Sequence, residues 1–240
     1  MRSATLLRVL SWNLLRRVGA RVEEIAQLVE RKRPDLVLLQ EATPDVCVLP
    51  SLVGGTFYHQ LMQKRVYGLA IWSPHPLIEP QILTLPMSSL PGRVPRRIAQ
   101  IVRFRGIAFA NVHLSHGQLL NRLQLLHIAA ALEGPAAIIG DFNSVGPTVL
   151  AGFKDVGPRS GTHRASKIVA LRLDRCLARS LHCVATEVLD KGQSDHHPIV
   201  LDLVPSSVAG KRRPKKKSRL LEAARGKFTR SPSLPRGSNR

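Results

Sequence analysis

Cysteine is scarce in this chain, as are aromatic residues, acidic residues and long apolar runs. The three cysteines, Cys47, Cys176 and Cys183, are odd in number and show no CxxC spacing. This argues against a disulfide framework and against a zinc site, and favours reduced thiols in the core. No apolar stretch approaches the roughly 20 residues of a membrane span, and arginines interrupt the apolar run near the N-terminus. We therefore expect a cytoplasmic protein.

The shortage of acidic residues leaves the chain strongly basic. Only 16 Asp and Glu stand against 36 Lys and Arg, which gives a formal net charge of +20 over 240 residues. Residues 205–240 hold 12 basic residues and one acidic residue, a net charge of +11, so residues 1–204 carry +9. Both parts should attract polyanions.

The pattern of apolar residues divides the chain into a folded part and a tail. Residues 1–204 alternate short apolar runs with stretches of helical period, and the strand predictions include Ile78–Thr84 and Leu171–Leu177. From Pro205 the periodicity stops, and a lysine- and arginine-rich segment follows that cannot bury enough apolar surface to fold. We predict one domain over residues 1–204 and a basic, disordered tail over residues 205–240.

Polar residues gather at the ends of apolar runs in four places. The clusters are Ser11-Trp12-Asn13, Leu39-Gln40-Glu41, Gly140-Asp141-Phe142-Asn143 and Ser194-Asp195-His196. Together they supply the carboxylates, amides and imidazole needed to hold a hard divalent cation, activate water and cleave a phosphoester. Each cluster alone has a structural alternative, such as a turn, a helix cap or an Asx turn. The ordered series favours the chemical interpretation.

Two further polar residues belong to the pattern. Asp174 interrupts an apolar strand and, if it faces inward, needs a partner, for which a histidine is suitable. His113 ends a strand in which Val112 and Leu114 would face the opposite way. A lone histidine of this kind is more often structural than catalytic. His196 has the pKa range of a general acid or base near neutral pH.

The motifs and their order resemble the endonuclease/exonuclease/phosphatase family. This family includes apurinic endonucleases, deoxyribonuclease-I-like enzymes, neutral sphingomyelinases and inositol polyphosphate 5-phosphatases. The resemblance covers about residues 5–204 and makes this part a catalytic domain. It implies a four-layer α/β sandwich, in which two packed mixed β-sheets carry helices on both outer faces.

The resemblance also implies a metal site. Glu41 resembles the principal Mg²⁺ ligand, with Asn13 beside it. Asp195 resembles a further ligand or a carboxylate directly behind the ligands. Mn²⁺ is the alternative ion.

The same resemblance implies the catalytic roles. Asp141 resembles the residue that activates or protonates at the reacting phosphorus, and Asn143 resembles the amide that orients the nucleophile or a phosphate oxygen. His196 would contact the scissile phosphate, oriented and kept basic by Asp174. His113 matches a histidine of the deoxyribonuclease-I-like and sphingomyelinase branches, where apurinic endonucleases use a nearby tyrosine.

One position departs from the family pattern. The usual aspartate-tyrosine pair of the penultimate motif is Asp174-Arg175 here. Asp174 keeps its place, and Arg175 would bring an extra cation near the site.

These features predict a monomeric, Mg²⁺-dependent phosphodiesterase in which water attacks phosphorus in line. A basic body and tail favour nucleic acid as the substrate and an endonuclease as the activity. The alternative is a sphingomyelinase-like or other lipid or small-molecule phosphohydrolase, with the tail drawn to an anionic membrane surface. A third reading is a catalytically inactive, basic nucleic-acid-binding module. Stacking on bases is a poor mode of binding for the tail, since Phe228 is its sole aromatic residue.

Overall fold

The structure is a computed structural model that describes residues 6–16, 18–88, 96–165 and 169–206. Its strands are β1 (Leu7–Asn13), β2 (Leu36–Ala42), β3 (Thr56–Leu61), β4 (Gly68–Ser73), β5 (Gln81–Thr84), β6 (Ile98–Phe104), β7 (Ile107–His113), β8 (Ala136–Asp141), β9 (Lys154–Asp155), β10 (His163–Ala165), β11 (Val169–Leu171), β12 (Asp174–Arg179), β13 (Leu181–Val188) and β14 (Ile199–Pro205). Its helices are α1 (Val22–Lys32), α2 (Leu49–Val53) and α3 (Gln118–Ala131), and a 3₁₀ helix spans Pro44–Val48.

Most strands belong to two mixed six-stranded sheets. The first has the order β13-β14-β1-β2-β4-β3 and the second the order β5-β6-β7-β8-β12-β9, while β10 and β11 form a separate hairpin. Each large sheet contains one parallel pair, β1 with β2 and β7 with β8. The carboxyl ends of a parallel pair lie at the same edge of its sheet, so each sheet has an edge at which two strands finish together.

Helices cover both sheets from outside. The inner faces of the sheets pack on each other through residues such as Leu38 and Phe109. Ile25 of α1 packs on the outer face of the first sheet and Ile128 of α3 on that of the second. The four-layer sandwich expected from the sequence is confirmed.

Helix α1 shows why the sequence folds as it does locally. Its buried residues recur at helical spacing, with acidic residues in its first turn and basic residues in its last turn, where they complement the helix dipole. Arg33 then adopts a left-handed conformation before Pro34, and the helix ends.

A buried polar contact joins the two sheets. Gln40 on β2 donates through Nε2 to Oδ1 of Asn111 on β7 at 2.7 Å, and both residues are fully buried. The Asn111 amide donates in turn to the carbonyl oxygens of Leu39 and Ala70 at 3.0 Å. Because buried amides are costly to leave unpaired, this contact fixes how β2 and β7 face each other.

Two strand predictions need correction. The predicted strand Ile78–Thr84 is formed only over Gln81–Thr84, because Pro80 has no N–H to give to a ladder. The predicted strand Leu171–Leu177 is divided between β11 and β12, because the N–H groups of Leu173 and Asp174 donate to the Thr162 hydroxyl instead of a neighbouring strand.

The prediction of three core thiols is wrong for one of them. All three cysteines are free, Cys176 is buried and Cys183 is half-buried, but Cys47 is exposed. Cys47 belongs to the short 3₁₀ helix, of which Val46 is the buried residue, so its own side chain faces outward.

The tail lies outside the described residues beyond position 206, so the division into residues 1–204 and 205–240 stays a prediction. The last strand ends at Pro205. In the described ranges no helix is long and apolar enough to cross a membrane.

Gly140 supports a prediction about the fold. It has a φ of +143°, and an added Cβ would overlap the Val112 carbonyl on β7. We expect Gly140→Ala to lower the free energy of unfolding by about 2–3 kcal/mol, because the backbone is strained and the parallel pair must separate. Urea unfolding measures this loss.

Gly106→Ala is the matched control. Gly106 also has a positive φ, +77°, but nothing lies near its added Cβ. It should show only the backbone cost, about 1 kcal/mol. Equal losses in the two variants would show that β7 and β8 tolerate a side chain between them.

Candidate active site

The predicted site residues meet at one edge of the sandwich. Asn13 and Glu41 lie at the carboxyl ends of β1 and β2, and His113 and Asp141 end β7 and β8. Strands β12 and β14 run antiparallel to β8 and β1, so both begin at this same edge. Asp174, the first residue of β12, therefore lies opposite Asp141 in the ladder.

A polar cleft of about 380 Å³ opens over this edge. Every predicted site residue lines it except Asp174, which is 1% exposed and lies beneath His196. The fold therefore brings predicted side chains from four strands and two loops together on one concave surface.

Asp141 is the centre of the polar network. Its Oδ2 accepts from Nδ2 of Asn13 at 3.0 Å, and its Oδ1 accepts from the Asn143 backbone N–H at 2.8 Å. The Nε2 atoms of His113 and His196 lie 3.5 and 3.7 Å from Oδ2. Burial opposes ionisation, but the two histidines and the hydrogen bonds outweigh it and lower the pKa of Asp141. This carboxylate is ionised at neutral pH.

Asp174 and His196 form a buried ion pair. His196 Nδ1 lies 2.8 Å from Asp174 Oδ2, as the sequence predicted for this pair. Burial disfavours the imidazolium, but Asp174 and then Asp141 outweigh it and raise the pKa of His196 to about 10. His196 is therefore protonated at neutral pH, and Asp174 holds the ring in place.

Hydrogen bonds tie the loop of His196 to β1. The Ser194 hydroxyl donates to the Asn13 carbonyl at 2.7 Å and accepts from the His196 N–H at 3.1 Å. The Trp12 indole donates to the His196 carbonyl at 2.9 Å. These bonds explain the presence of Ser194 in the motif, because its hydroxyl joins two site residues.

His113 behaves differently from His196. It is 3% exposed, and burial together with the nearby Arg97 charge lowers its pKa to about 3. It is a neutral imidazole at physiological pH, with Nε2 at 4.0 Å from Glu41 Oε1. Val112 and Leu114 pack into the apolar layer against α3, so His113 faces the cleft as the alternation predicted.

Two cleft residues adopt backbone conformations that are uncommon outside glycine. Glu41 has a φ of 51° and Asn143 a φ of 47°. The register of β2 against β4 shifts between Gln40 and Ala42, which turns the Glu41 side chain out of the sheet. The Asn143 amide donates to the Leu114 carbonyl at 3.0 Å. Such strain persists where surrounding contacts fix it, and it is common at functional sites.

The donor set around Glu41 fits a hard divalent cation. Glu41 Oε2 accepts from the backbone N–H and the guanidinium of Arg16 at 3.2 and 3.1 Å. Glu41 Oε1 has no hydrogen-bond partner among the described residues. Asn13 Oδ1, on the adjacent strand, accepts from the Leu15 N–H at 3.1 Å and keeps a second lone pair. Carboxylate and amide oxygens are ligands that Mg²⁺ accepts.

The Asp195 carboxylate contacts a histidine of the β10 hairpin. Its Oδ2 is 3.4 Å from Nε2 of His163, and His163, Asp195 and His196 form one of two compact groups of three potential ligands within the described ranges. Asp141, Asp174 and His196 form the other group, and Glu41 is in neither. The His163 contact lowers the pKa of Asp195.

Among the cleft residues that sequence reasoning missed, His163 and Arg97 both contact or influence the site histidines. His163 begins the β10 hairpin, and its ring centroid lies 4.5 Å from that of His196. Arg97 lines the cleft and is 5% exposed. No pattern in the sequence marks either residue, since His163 follows no apolar run and Arg97 stands in a basic stretch typical of a surface.

Arg175, the extra cation that the sequence predicted near the site, does not line the cleft itself. It is 2% exposed and donates to the Ser144 and Gly146 carbonyls at 3.0 and 2.6 Å, and it pairs with Asp155 at 3.2 Å. Alternation along β12 places Arg175 on the opposite face from Asp174. The Arg175 guanidinium therefore holds the segment that follows Asn143 through these hydrogen bonds.

The comparisons with known proteins agree with this architecture. Residues 10–196 match the Endonuclease/Exonuclease/phosphatase family, whereas no curated protein matches the chain. The chain is similar to an endonuclease/exonuclease/phosphatase structure from Bacteroides vulgatus, with 18% identity, a TM-score of 0.69, and coverage of 84% of this chain and 99% of that one.

Two further solved structures share the fold. A humanized D. rerio TDP2 is 19% identical at a TM-score of 0.67, covering 82% of this chain and 98% of that one. A mannosyl-6-phosphatase from Bacteroides thetaiotaomicron is 20% identical at a TM-score of 0.67, covering 82% and 99%.

A sandwich with a polar cleft at one edge, built from these motifs, is the architecture of a phosphoester hydrolase. The chain belongs to the Endonuclease/Exonuclease/phosphatase family.

The Asp174–His196 pair makes stability depend on pH. The folded-state pKa of His196, about 10, lies above the ordinary value of 6.5. Its stabilisation is therefore fully present below pH 6.5 and is lost as the pH rises towards 10. We expect His196→Gln to reduce the fall of the thermal midpoint between pH 6.5 and pH 10, measured in EDTA by calorimetry.

His116→Gln is the control, because His116 lines the same cleft but is exposed. It should keep the wild-type slope. If His196→Gln shows that slope as well, the imidazolium assignment is wrong.

Proposed function

We propose that this chain is a Mg²⁺-dependent phosphodiesterase that cleaves nucleic acid. The observation that carries the proposal is one pair of side chains in the cleft. Asp141 is ionised and His196 is protonated at neutral pH. Nε2 of His196 lies 3.7 Å from Oδ2 of Asp141. A proton acceptor and a cationic donor held together are what in-line attack of water on a phosphoester requires.

Each residue has a part in the proposed reaction. Asp141 accepts the proton of the attacking water as the new P–O bond forms, and neutral His113, with Nε2 at 3.5 Å from Asp141 Oδ2, can relay that proton. The P–O bond to the leaving group breaks at the same time, and the leaving oxygen takes up a proton from solvent in the open cleft. The His196 imidazolium donates to a non-bridging oxygen as negative charge grows there. Asn143 orients the water or a phosphate oxygen, and Asp174 holds the His196 ring.

Glu41 and Asn13 would hold the divalent cation, with Asp195 of the same cleft as a further ligand or as a carboxylate directly behind the ligands. The cation supplies Lewis-acid stabilisation of charge on the phosphoryl oxygens when it is bound. Mg²⁺ suits the oxygen donors best, and Mn²⁺ accepts the same ligands.

The charge distribution supports nucleic acid as the substrate class. Arg65, Arg97 and His116 line the same cleft as the acidic residues. The +9 charge of residues 1–204 and the +11 charge of residues 205–240 add a long-range attraction for a polyanion. The names of two structures with this fold, TDP2 and a mannosyl-6-phosphatase, show that it serves more than one kind of protein.

A substrate panel tests the proposal. We expect the purified protein to hydrolyse plasmid DNA or RNA in MgCl₂, faster than sphingomyelin or inositol phosphates, and to lose activity in EDTA. Glu41→Gln and Asp141→Asn should each lower turnover by roughly 100-fold or more, because one removes the cation's anionic ligand and the other the proton acceptor.

Glu133→Gln is the matched control, since its side chain is 89% exposed and only loosely paired with Arg103 at 3.6 Å. It should keep wild-type turnover. Hydrolysis of the lipid or sugar phosphates alone would move the substrate to the small-molecule class. Wild-type turnover by Glu41→Gln with unchanged Mg²⁺ dependence would refute the metal assignment.

The tail is expected to add attraction and no chemistry, because residues 207–240 contain none of the reacting side chains. Removal of residues 207–240 should leave turnover at saturating substrate nearly unchanged. It should weaken binding to nucleic acid and flatten its dependence on salt, because fewer counterions are released. Filter binding across a KCl series measures both.

An unchanged affinity and salt slope would contradict this role of the tail. A truncated protein that lost binding only to anionic vesicles would place the tail on a membrane surface instead.

A further inference from the structure

We propose that Arg97 is a substrate-binding residue whose guanidinium holds the non-bridging oxygens of the phosphate bound in the cleft. The inference rests on the proposed function for the identity of the ester, but phosphate binding can be measured without turnover.

The Arg97 side chain is buried and has unsatisfied hydrogen-bond donors. Arg97 is 5% exposed, and its Nε and Nη1 atoms are buried without a hydrogen-bond partner. In the described part of the chain no carboxylate lies within 4.0 Å of it. A buried charge with unsatisfied donors destabilises the fold unless a ligand supplies the missing acceptors.

The electrostatic surroundings place this charge within the reacting group. Burial lowers the pKa of Arg97, while Tyr67, Asp141 and Glu41 oppose that effect. The Arg97 charge also contributes to the low pKa of His113. Arg97 also lines the same cleft as Asp141 and His113, so one ligand can contact all three, and an arginine stays charged under these conditions.

The chain holds Arg97 in this place. Its carbonyl accepts from the Leu85 N–H at 2.9 Å, and the next residue, Ile98, starts β6 and packs with Tyr67. A buried side chain on a fixed backbone has little freedom left to lose on binding, and the planar donors of the Arg97 guanidinium match a phosphate group.

The other arginines of the cleft are less suited to this role. Arg16 is paired with Glu41 at 3.1 Å and lies over the Tyr67 ring at 4.5 Å. Arg65 is exposed, and its flexible side chain would have to be ordered on binding. Arg97 alone combines burial, a fixed backbone and unfilled donors within the described cleft.

The experiment compares Arg97→Met and Arg97→Lys with Arg96→Met. Arg96 is the adjacent residue, is exposed, and its Nε lies 3.3 Å from the Met87 sulfur, so its substitution removes the same charge from the same segment. The probe is inorganic phosphate in MgCl₂ buffer, titrated by calorimetry and by thermal shift at constant ionic strength set with KCl.

We expect Arg97→Met to weaken phosphate binding by about 10-fold or more, the effect of losing charge-assisted hydrogen bonds. Its thermal midpoint without phosphate should equal or exceed that of wild type, because a buried unpaired charge has been removed. Arg97→Lys should recover part of the binding, and Arg96→Met should match wild type in both measurements. With a nucleic-acid substrate, Arg97→Met should raise KM as well as lower kcat.

Two results would overturn the inference. One is phosphate affinity in Arg97→Met equal to that of wild type. The other is a lower thermal midpoint in Arg97→Met with an unchanged KM, which would make Arg97 structural. If Arg97→Met loses phosphate binding but the wild type does not cleave nucleic acid, the proposed substrate is refuted. The inference about Arg97 then still stands.

Discussion

The carboxylate of Asp141 is buried where the edges of two sheets meet, and it stays ionised. Desolvation alone would drive it to the neutral acid. It is held as an anion by the Asn13 amide from the first sheet, a backbone N–H from its own loop, and two imidazoles. The Asn13 contact spans the two sheets, so the ionised carboxylate requires the sandwich to be assembled, and the site has no counterpart in either sheet alone.

The strand topology makes this arrangement possible. One parallel pair in each sheet puts two carboxyl ends at the edge, and antiparallel neighbours start there with Asp174 and the loop of His196. The resulting cleft contains groups of opposite character at neutral pH, an anionic Asp141, a cationic His196 and a neutral His113. Their pKa values are separated by burial and by partners, which is how acid and base roles are commonly divided in one site.

Much of this could be predicted from the sequence because each site residue follows or precedes a short apolar run. Such a run is a buried strand, and the polar residue at its end must leave the core at a sheet edge. A histidine could be expected beside Asp174 because a buried carboxylate needs a partner, and the family resemblance implied that this histidine is His196. Asp195 could be placed in the cleft, but its contact with His163 could not, because the β10 hairpin has no apolar run to mark it.

The burial of Arg97 also depends on tertiary contacts, since a basic stretch is expected at the surface until its packing beside Tyr67 is known. Arg175 faces away from the cleft because it alternates with Asp174 along β12, and its pairing with Asp155 depends on tertiary contacts that the sequence does not mark. The 3₁₀ helix that exposes Cys47 left no periodic signal at all.

The proposed chemistry requires a divalent cation at Glu41 and a phosphate between His196 and Arg97. The most direct test is a crystal structure of the protein grown with MnCl₂ and inorganic phosphate, in which anomalous scattering locates the manganese. We predict a manganese peak in contact with the Glu41 carboxylate and a phosphate in contact with both His196 and Arg97. Manganese bound only by His163 and Asp195, with Glu41 still paired to Arg16 and no phosphate at Arg97, would contradict it.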